Sequence, residues 1–474
     1  MNDLLTKLAD VTFEELSPSL QKAASFAGWT KLMPVQARAI PYILAGRNMM
    51  IQARTGSGKT GAFLLPLLEK LDPKLNECQT LILTPTRELA RQVWQEAETL
   101  LRDSGLRTVA VYGGVGYRNQ IDALKKGAHV VVGTPGRVLD HLLRNTMSLR
   151  HLKMLIFDEA DRMLSMGFYP DMKKVKKYLP RKPVHTCMFS ATFTSHVMYT
   201  ANEFMNNPEF VSLSQDHTHV TEIEHVFYIV HGMDKDRALV RLIEIENPVS
   251  ALIFCNTKSE VHYLSIVLQR FGYDADELSS DLSQSQREKV LQRVRKGKLR
   301  FLVATDVAAR GLDLPDLSHV IQYEPPEDFE AYIHRSGRTG RAGAAGVAIS
   351  LVTTMEKTML DRIARRYGID MQQRELPTDE DVQVVVSERI TALLEARLRD
   401  RDKLAAERSR RFVPLGRSLA EGEEESAIIA MLLDDFYQQS LHAPFEKPAQ
   451  KWEEEESSQP SQKRRQRKRP RRRR

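Results

Sequence analysis

The chain has 474 residues, of which 42% are hydrophobic, and a formal net charge of +7. At about 150 residues per domain, this length predicts roughly three structural units with ordinary packed cores. No window approaches roughly 18 consecutive apolar residues, and Met1–Asp10 lacks the basic-then-apolar order of a secretory signal, so we expect a soluble protein of the cytoplasm.

The positive charge is concentrated at one end of the chain. Residues 1–370 carry 47 Lys and Arg against 42 Asp and Glu, and residues 371–462 carry 12 against 20. Lys463–Arg474 alone contains ten basic residues and no acidic residue. The net charge therefore indicates a basic tail rather than a uniformly basic surface.

The three cysteines provide no covalent framework. Cys78, Cys187 and Cys255 are far apart, odd in number and lie in apolar, strand-like runs. Disulfide scaffolds and zinc sites need a different spacing. We expect three buried thiols.

The first part of the chain alternates between short β-branched runs and longer stretches of helical periodicity. Its strand candidates are Met49–Gln52, Thr80–Thr84, Thr108–Tyr112, Val130–Val132, Met154–Phe157 and Thr186–Phe189. Their near-continuous apolar character is typical of strands buried on both faces of a parallel sheet, with crossover helices between them. Ser17 and Pro18 mark a helix start, with proline at the first helical position.

The same alternation resumes at about Val226. Its strand candidates are Ala251–Cys255, Phe301–Ala304, Val320–Tyr323 and Val347–Val352. Ser283 and Gln286 match a capping box at the start of a helix. The sequence therefore predicts two α/β domains at residues 13–213 and 223–370, preceded by a segment at 1–12 and joined by a linker at 214–222.

The character of the sequence changes after Gly368. We expect a helical extension of two or three helices at residues 371–443, because Glu388–Arg411 is rich in Ala, Leu, Arg and Glu and Ala427–Tyr437 is a compact apolar run. Residues 444–474 combine like-charge blocks with Pro, Gln and Ser, which predicts a disordered tail that is first acidic and then Arg-rich.

A phosphate-binding loop follows the first strand candidate. The loop reads Ala53-Arg54-Thr55-Gly56-Ser57-Gly58-Lys59-Thr60 and leads into an apolar helix. In such a loop, backbone N–H groups surround phosphate oxygens and glycines allow the close approach. We expect Lys59 to reach the β and γ phosphates of a nucleotide and Thr60 to bind Mg²⁺. The alternative is an accidental Gly-Ser turn.

A pair of carboxylates follows the strand candidate Met154–Phe157, at the edge where open α/β sheets bind ligands. We expect Asp158 to hold the metal and Glu159 to position or deprotonate the attacking water. Acidic residues at a strand end are otherwise often helix caps. The phosphate loop upstream favours the catalytic interpretation.

With these motifs the sequence resembles the DEAD-box ATP-dependent RNA helicases. Asp158-Glu159-Ala160-Asp161 spells the family name, and the family's own phosphate loop also begins with alanine. Further matching motifs follow in order: Pro85–Ala90, Gly113-Gly114, Thr134–Arg137, Ser190-Ala191-Thr192, Gln284–Arg287, Thr305–Asp313 and His334–Arg341. The extension is more loosely similar to that of bacterial cold-shock-type members.

The resemblance implies two tandem RecA-like domains that close over ATP and single-stranded RNA, with a phosphate loop only in the first. In addition to the loop residues Arg54–Thr60, it implies ATP contacts from Gln36 and Trp29 at the adenine and from Asp313 at the ribose. Arg338 and Arg341 would act as arginine fingers on the γ-phosphate once the second domain docks. An arginine on a helix is by itself more often a solvated surface charge.

The resemblance also implies RNA contacts. They would come from Arg87, Gly114, Thr134 and Arg137 in the first domain and from Thr305 in the second. Such contacts lie on the sugar–phosphate backbone, so they position RNA without reading its sequence. Ser190 and Thr192 would couple the ATP site to RNA, and Arg310 and His334 would join that interdomain network.

The extension and the tail each leave two interpretations open. In the relatives this extension can mediate dimerisation, which predicts a homodimer; the alternative is an amphipathic cap that buries its own apolar stripe. We expect Lys463–Arg474 to tether structured RNA electrostatically, with an affinity that falls steeply with salt. A solubilising or targeting tail is the alternative.

The predicted function is an RNA-stimulated ATPase that uses ATP and Mg²⁺ to remodel or locally unwind short RNA duplexes. An ATP-gated RNA clamp that nucleates a ribonucleoprotein complex is the main alternative, because clamps of this family keep the same motifs. A DNA-unwinding enzyme is disfavoured by the resemblance. Partners in ribosome assembly or RNA decay are compatible with either main prediction.

Overall fold

The structure is a computed structural model that describes residues 8–53, 57–212, 223–279, 281–309, 317–326, 328–340 and 346–441. Within these residues the chain forms two parallel sheets of seven strands each, with helices between the strands, followed by a helical extension. Two tandem RecA-like α/β domains are therefore confirmed. The predicted linker at 214–222 and the tail at 444–474 lie outside the described residues.

The first domain alternates strands and helices as its sequence predicts. Its strands are β1 Met49–Gln52, β2 Thr80–Leu83, β3 Thr108–Val111, β4 Val130–Gly133, β5 Met154–Phe157, β6 His185–Ser190 and β7 Glu209–Ser212. Its helices are α1 Pro18–Phe26, α2 Pro34–Ala45, α3 Lys59–Leu64, α4 Leu67–Lys70, α5 Arg87–Leu100, α6 Tyr117–Lys125, α7 Pro135–Leu143, α8 Ala160–Ser165, α9 Tyr169–Lys176 and α10 Ser195–Phe204.

The second domain repeats the alternation. Its strands are β8 Ile223–Ile229, β9 Ala251–Phe254, β10 Ala275–Leu278, β11 Phe301–Ala304, β12 His319–Gln322, β13 Gly346–Val352 and β14 Met371–Arg374. Its helices are α11 Lys235–Glu246, α12 Lys258–Arg270, α13 Gln284–Arg295, α14 Asp306–Ala309, α15 Phe329–Ser336 and α16 Thr354–Tyr367. The capping box of Ser283 and Gln286 is confirmed at the start of α13.

The two sheets have the same topology. The strand order is β3-β4-β2-β5-β6-β1-β7 in the first sheet and β10-β11-β9-β12-β13-β8-β14 in the second. Both sheets have buried apolar residues on both faces. Successive residues of a strand point to opposite faces. Leu81 and Leu83 pack into one core cluster, for example, while Ile82 packs into the other.

Four strands were not among the predicted runs. Three of them, β7, β10 and β14, lie at sheet edges, where polar residues such as Asp276, Glu277 and Gln373 are tolerated and the apolar signal is lost. The fourth, β8, begins with half-buried residues and pairs with β14. The second sheet therefore includes Met371–Arg374, which the sequence assigned to the extension.

The extension consists of α17 Asp379–Arg399, α18 Lys403–Arg410, α19 Val413–Glu421 and α20 Glu423–Leu441. These are more helices than predicted, because short turns divide the two expected runs. Tyr437 and Leu441 of α20 enter the core of the second domain, and Ile390 of α17 packs against the same core. Ala392 of α17, in contrast, packs against the core of the first domain.

Two general predictions can be compared with the structure. The three cysteines are free thiols in buried positions, as expected. Among the described residues, no helix combines the length and the apolar character that crossing a membrane requires.

Candidate functional site

The turn between β1 and α3 carries the predicted phosphate loop. Arg54, Thr55 and Gly56 lie outside the described residues, and α3 begins at Lys59 directly after Gly58, whose φ of 87° favours glycine. Lys59 is only 6% exposed, and its Nζ atom has no hydrogen-bond partner among the residues described. A buried ammonium group without a partner is costly, so this position fits an anionic ligand.

The segment predicted to read adenine packs against this loop. Gln36 Nε2 donates to the Gly58 carbonyl (3.2 Å), and Gln36 Oε1 accepts from the Met33 N–H (2.8 Å). A Cβ atom added at Gly61 would collide with the indole ring of Trp29. Gln36 and Trp29 therefore lie close to Gly58 and Gly61, and the amide of Gln36 is engaged within the protein. Its contact with adenine stays a prediction.

Asp158 and Glu159 lie at the carboxyl end of β5, and the charge of Lys59 acts on Asp158. Asp158 is 2% exposed, and its Oδ1 atom has no hydrogen-bond partner within the described part of the chain. Burial raises the pKa of Asp158 to about 7, although the nearby Lys59 opposes this shift. A cation bound beside this carboxyl group would lower its pKa and favour the carboxylate form.

Glu159 adopts a backbone conformation that is unusual for a residue with a side chain. Its φ is 53°, in the left-handed region. Glu159 stands at the N-cap of α8, but its side chain makes no capping hydrogen bond. Its Oε2 atom lies 3.6 Å from Arg162 Nη1. The helix-cap alternative is therefore not supported, and the carboxylate is available at the sheet edge.

The oxygen atoms near Lys59 fit a magnesium ion bound together with a nucleotide. No group of three or more His, Cys, Asp or Glu in the described residues could hold a metal by itself. Mg²⁺ at phosphate sites needs only one or two protein carboxylates, because phosphate and water supply the other ligands. The unpartnered Oδ1 of Asp158 and the hydroxyl of Thr60 are suitable donors.

Sequence reasoning missed Glu96 on α5. Its carboxylate accepts a hydrogen bond from the Thr60 hydroxyl; burial raises the pKa of Glu96, and this bond partly opposes the rise. Because the hydroxyl acts as the donor, its oxygen lone pairs stay available to a metal. An acidic residue in the strongly amphipathic α5 gave no motif-level signal.

Ser190 and Thr192 connect the strand beside the phosphate loop to the carboxylate motif. Ser190 Oγ accepts from the Asp161 N–H (3.2 Å) and donates to the Thr192 carbonyl (2.8 Å). Thr192 donates to Asp161 Oδ2 through both its N–H and its hydroxyl, at 2.9 Å each. Gln52 at the end of β1 reaches the Ala191 carbonyl (3.3 Å). These bonds connect the two motifs directly.

The second domain holds its predicted residues on β11 and α15, while Arg310, Asp313 and Arg341 lie outside the described residues. Thr305 is buried at the carboxyl end of β11, and His334 is exposed on α15. Arg338 is half-buried. The next residue, Thr339, donates to the Ser318 carbonyl (3.2 Å), and Ser318 lines the cavity between the domains.

That cavity has a volume of about 470 Å³. The first domain contributes Lys59, Glu159, Asp161 and Thr192, and the second contributes Glu224, Glu246, Ser318, His319 and Arg374. Glu159, one of the two predicted catalytic carboxylates, therefore faces the second domain, and the segment that carries Arg338 is anchored to one wall of the cavity.

Arg335 is a residue that sequence reasoning did not single out, although it lies inside a matched motif. It is 1% exposed and donates to Asp306 at 2.7 and 2.6 Å, to the Glu324 carbonyl at 2.7 Å and to Asn256 Oδ1 at 2.8 Å. It thus ties the start of the Thr305 motif to α15 and has a structural role.

The predicted RNA residues of the first domain lie together at the carboxyl ends of β2, β3 and β4. Arg87 begins α5 and approaches Gly114, which has a φ of 72°. Thr134 directly precedes α7, and Arg137 donates to the Val115 carbonyl (3.0 Å) and stacks on Tyr117 at 3.9 Å. We call the surface formed by Arg87, Gly113, Gly114, Thr134 and Arg137 the basic groove.

Two glutamates of the extension reach the basic groove. Glu388 and Glu395 of α17 line a small cavity together with Arg87, Gly113 and Thr134. Neither glutamate gave a signal in the sequence, because nothing in the local pattern of α17 indicates which surface it covers.

Comparison with known proteins agrees with this geometry. The DEAD/DEAH box helicase family matches residues 33–200, and the helicase conserved C-terminal domain matches residues 234–343. The RNA helicase CrhR of Synechocystis is 41% identical over 440 residues, which is 93% of this chain and 87% of the relative. The DEAD-box ATP-dependent RNA helicase CshA of Bacillus licheniformis is 40% identical over 391 residues, covering 81% of this chain and 80% of the relative.

A solved DEAD box protein from the hyperthermophile Methanococcus jannaschii is 39% identical and covers 77% of this chain and 100% of its own, with a TM-score of 0.44. The order of the motifs, the two matched domains and the coverage of the bacterial relatives lead to one conclusion: the chain belongs to the DEAD-box family of ATP-hydrolysing RNA helicases, most like its bacterial cold-shock-type members.

Proposed function

We propose that this protein uses ATP hydrolysis to remodel or locally unwind short RNA duplexes. The observation that carries the proposal is a pair of buried atoms at one sheet edge, Lys59 Nζ and Asp158 Oδ1, which make no hydrogen bond to any residue that the structure describes. One is positioned for phosphate and the other for the metal that accompanies it. The basic groove lies at the carboxyl edge of the same sheet.

The hydrolytic step assigns one role to each residue. Lys59 binds the β- and γ-phosphates of ATP, and Glu159 orients a water molecule and accepts its proton. The water oxygen forms a bond to the γ-phosphorus while the bond from that phosphorus to the β–γ bridging oxygen breaks, giving ADP and phosphate. When bound by Thr60 and Asp158, Mg²⁺ supplies positive charge that offsets the charge of the phosphates.

Closure of the two domains links hydrolysis to RNA. Arg338 and Arg341 complete the ATP site from the second domain, while Thr305 extends the basic groove on the RNA side. Because ATP and RNA both favour the closed form, their binding is coupled reciprocally, by about 1–3 kcal/mol. Ser190 and Thr192 relay the state of the carboxylate motif through Asp161.

A single-turnover strand-separation assay distinguishes this proposal from the clamp alternative. The protein is mixed with a short labelled RNA duplex and ATP, and strand release and phosphate release are followed together. Release of the strand with ATP supports remodelling; RNA-stimulated hydrolysis and tight binding without strand release favour the clamp. Replacing the RNA with DNA of the same sequence tests the DNA-unwinding alternative, for which DNA would stimulate hydrolysis equally well.

The Arg-rich tail adds a separate proposal, that Lys463–Arg474 holds structured RNA near the core. Deleting residues 457–474 should weaken RNA binding and flatten its dependence on salt, because fewer phosphates are neutralised, while the ATPase activity without RNA is unchanged. An unchanged affinity would refute the tether. Sedimentation of the full-length chain over a range of protein concentrations tests the separate proposal that the extension forms a homodimer.

A further inference from the structure

Helix α17 runs from the second domain to the basic groove of the first. Its first turn is held by Arg241 of α11, whose Nε donates to Asp379 at 2.7 Å. In its middle, Arg389 is 4% exposed and donates to the Glu244 carbonyl (2.6 Å) and to the Tyr437 hydroxyl (2.9 Å). The amino-terminal part of α17 is therefore firmly attached to the second domain.

The carboxyl-terminal part of α17 places acidic groups on the basic groove. Glu395 Oε1 accepts from the Gly114 N–H (3.3 Å) and from Arg137 Nη2 (3.4 Å). Glu395 also lies against Gly113, because a Cβ atom added to this glycine would be only 2.6 Å from Glu395 Oε2. An oxyanion held by a backbone N–H and a guanidinium group is the arrangement by which proteins hold a phosphate.

Glu388 makes the second such contact. Its side chain is 9% exposed, its Oε1 atom lies 3.9 Å from Arg87 Nε, and its carboxylate accepts from the backbone N–H of Arg87. Three of the four residues predicted to contact RNA in the first domain, Arg87, Gly114 and Arg137, are therefore occupied by carboxylates of this chain.

The end of α17 is fastened beyond the groove. Arg399 Nη2 lies 2.5 Å from Asp171 Oδ2, and Arg399 Nη1 lies 3.4 Å from both Asp140 Oδ1 and the Gly136 carbonyl. Lys174 Nζ reaches Asp400 at 2.8 Å. Between the helix and the groove there remains a cavity of only about 20 Å³, which is too small for a nucleotide.

We propose that α17 is an intramolecular strap that occupies the basic groove with Glu388 and Glu395 in place of RNA phosphates, so that RNA binds only by displacing it. The inference rests on the proposed function, because it needs the groove to be the RNA site. Its consequence is regulatory: the apparent affinity for RNA is reduced by the fraction of molecules in which the strap is seated.

The decisive variant is the double substitution Glu388→Gln with Glu395→Gln in the full chain. It keeps the shape of both side chains and removes the negative charges that face Arg87 and Arg137. We expect the concentration of a short single-stranded RNA that gives half-maximal ATPase activity to fall roughly three- to tenfold, with the rate at saturating RNA unchanged. Glu407→Gln, an exposed glutamate on α18, is the matched control and should leave the value unchanged.

Hydrogen exchange gives a second, independent measurement. In the wild-type chain, RNA together with a non-hydrolysable ATP analogue should accelerate exchange at the backbone amides of residues 388–399, whereas the analogue alone should not. The double variant should exchange faster there without RNA. An unchanged half-maximal RNA concentration in the double variant, or undiminished protection of α17 with RNA bound, would overturn the strap.

The two hypotheses fail differently. If the wild-type chain shows no RNA-stimulated ATPase activity at any RNA concentration, the proposed function is wrong. If stimulation is present but is equal in the wild type and the double variant, the function stands and the strap is refuted. The double variant could also unfold at a lower temperature than the Glu407→Gln control. In that case, hydrogen exchange at residues 388–399 is compared at a temperature at which both proteins are folded.

Discussion

The two domains have the same strand order, but they differ in the surroundings of a lysine that stands at an equivalent position in each. β1 and β8 occupy the same place in their sheets, and the α-helix that follows each begins with a lysine that is 6% exposed. Lys59 Nζ has no hydrogen-bond partner in the described part of the chain, whereas Lys235 Nζ donates to both carboxylate oxygens of Glu356, at 3.2 and 3.0 Å.

This difference agrees with the prediction that only the first domain carries a phosphate loop. Burial acts to raise the pKa of Glu356, but hydrogen bonds from the Thr353 backbone and from Lys235 outweigh it, so that the pKa lies below its usual range. The second domain thus supplies its own anion. In the first domain no described residue hydrogen-bonds Lys59 Nζ, and we propose that a phosphate of the nucleotide takes the place of that anion.

The largest expected effect is that of Glu159→Gln. If Glu159 accepts the proton of the attacking water, RNA-stimulated phosphate release should fall by about 10²–10⁴-fold. ATP-dependent RNA binding should persist and RNA should dissociate more slowly, since the closed form is no longer reset. Stopped-flow phosphate release and competition with unlabelled RNA measure the two effects; substantial turnover would refute the assigned role.

Exchanging each lysine for methionine tests the comparison between the domains directly. Lys59→Met should reduce ATPase activity by about 10²–10³-fold, because a positive group facing the transferred phosphate is lost. Lys235→Met should retain most of the activity when assayed below its unfolding temperature. Equal losses in both variants would show that the two lysines do not differ in function.

The pH dependence of stability tests the buried carboxyl group of Asp158 in the first domain. The pKa of Asp158 is raised to about 7 in the folded protein, chiefly by burial, so between about pH 4 and pH 7 the folded state binds more protons than the unfolded state. Its contribution to stability is therefore present at acid pH and is lost as the pH rises towards 7.

Relative to Asp158→Asn, the free energy of unfolding of the wild type should fall by roughly 2 kcal/mol between pH 5 and pH 7.5. Urea titrations without nucleotide and metal measure it. The two proteins should instead show parallel profiles if Asp158 titrates normally in the folded state.

The smallest expected effect concerns the ion pair of the second domain. Lys235→Met leaves the carboxylate of Glu356, which is partly exposed, without its cation, so the free energy of unfolding should fall by about 1–2 kcal/mol. Lys59→Met should destabilise the protein less than Lys235→Met, because Lys59 Nζ makes no hydrogen bond to the described residues and acts on Asp158 only through its charge. Calorimetry on both variants at one pH compares the two values; an equal or larger loss in Lys59→Met would contradict this difference.

Much of the fold was predictable because its central strands are buried on both faces. Runs such as Val130–Val132 and Phe301–Ala304 leave little alternative to a strand in a parallel sheet. The edge strands β7, β10 and β14 were missed for the opposite reason, since many of their residues are partly exposed and polar residues interrupt the apolar pattern. Glu96 and Arg335 were missed because their partners lie on other elements.

By itself the sequence determined the two α/β domains and the order of the motifs and predicted a phosphate loop at Ala53–Thr60, because each of these depends on residues adjacent in the chain. Only the tertiary structure decided that Lys59 is unpartnered among the described residues while Lys235 is neutralised by Glu356, and that Glu388 and Glu395 lie on the basic groove. Both results depend on pairs of charges brought together from distant positions, and the energy of such a pair is set by distance and burial, which no local pattern contains.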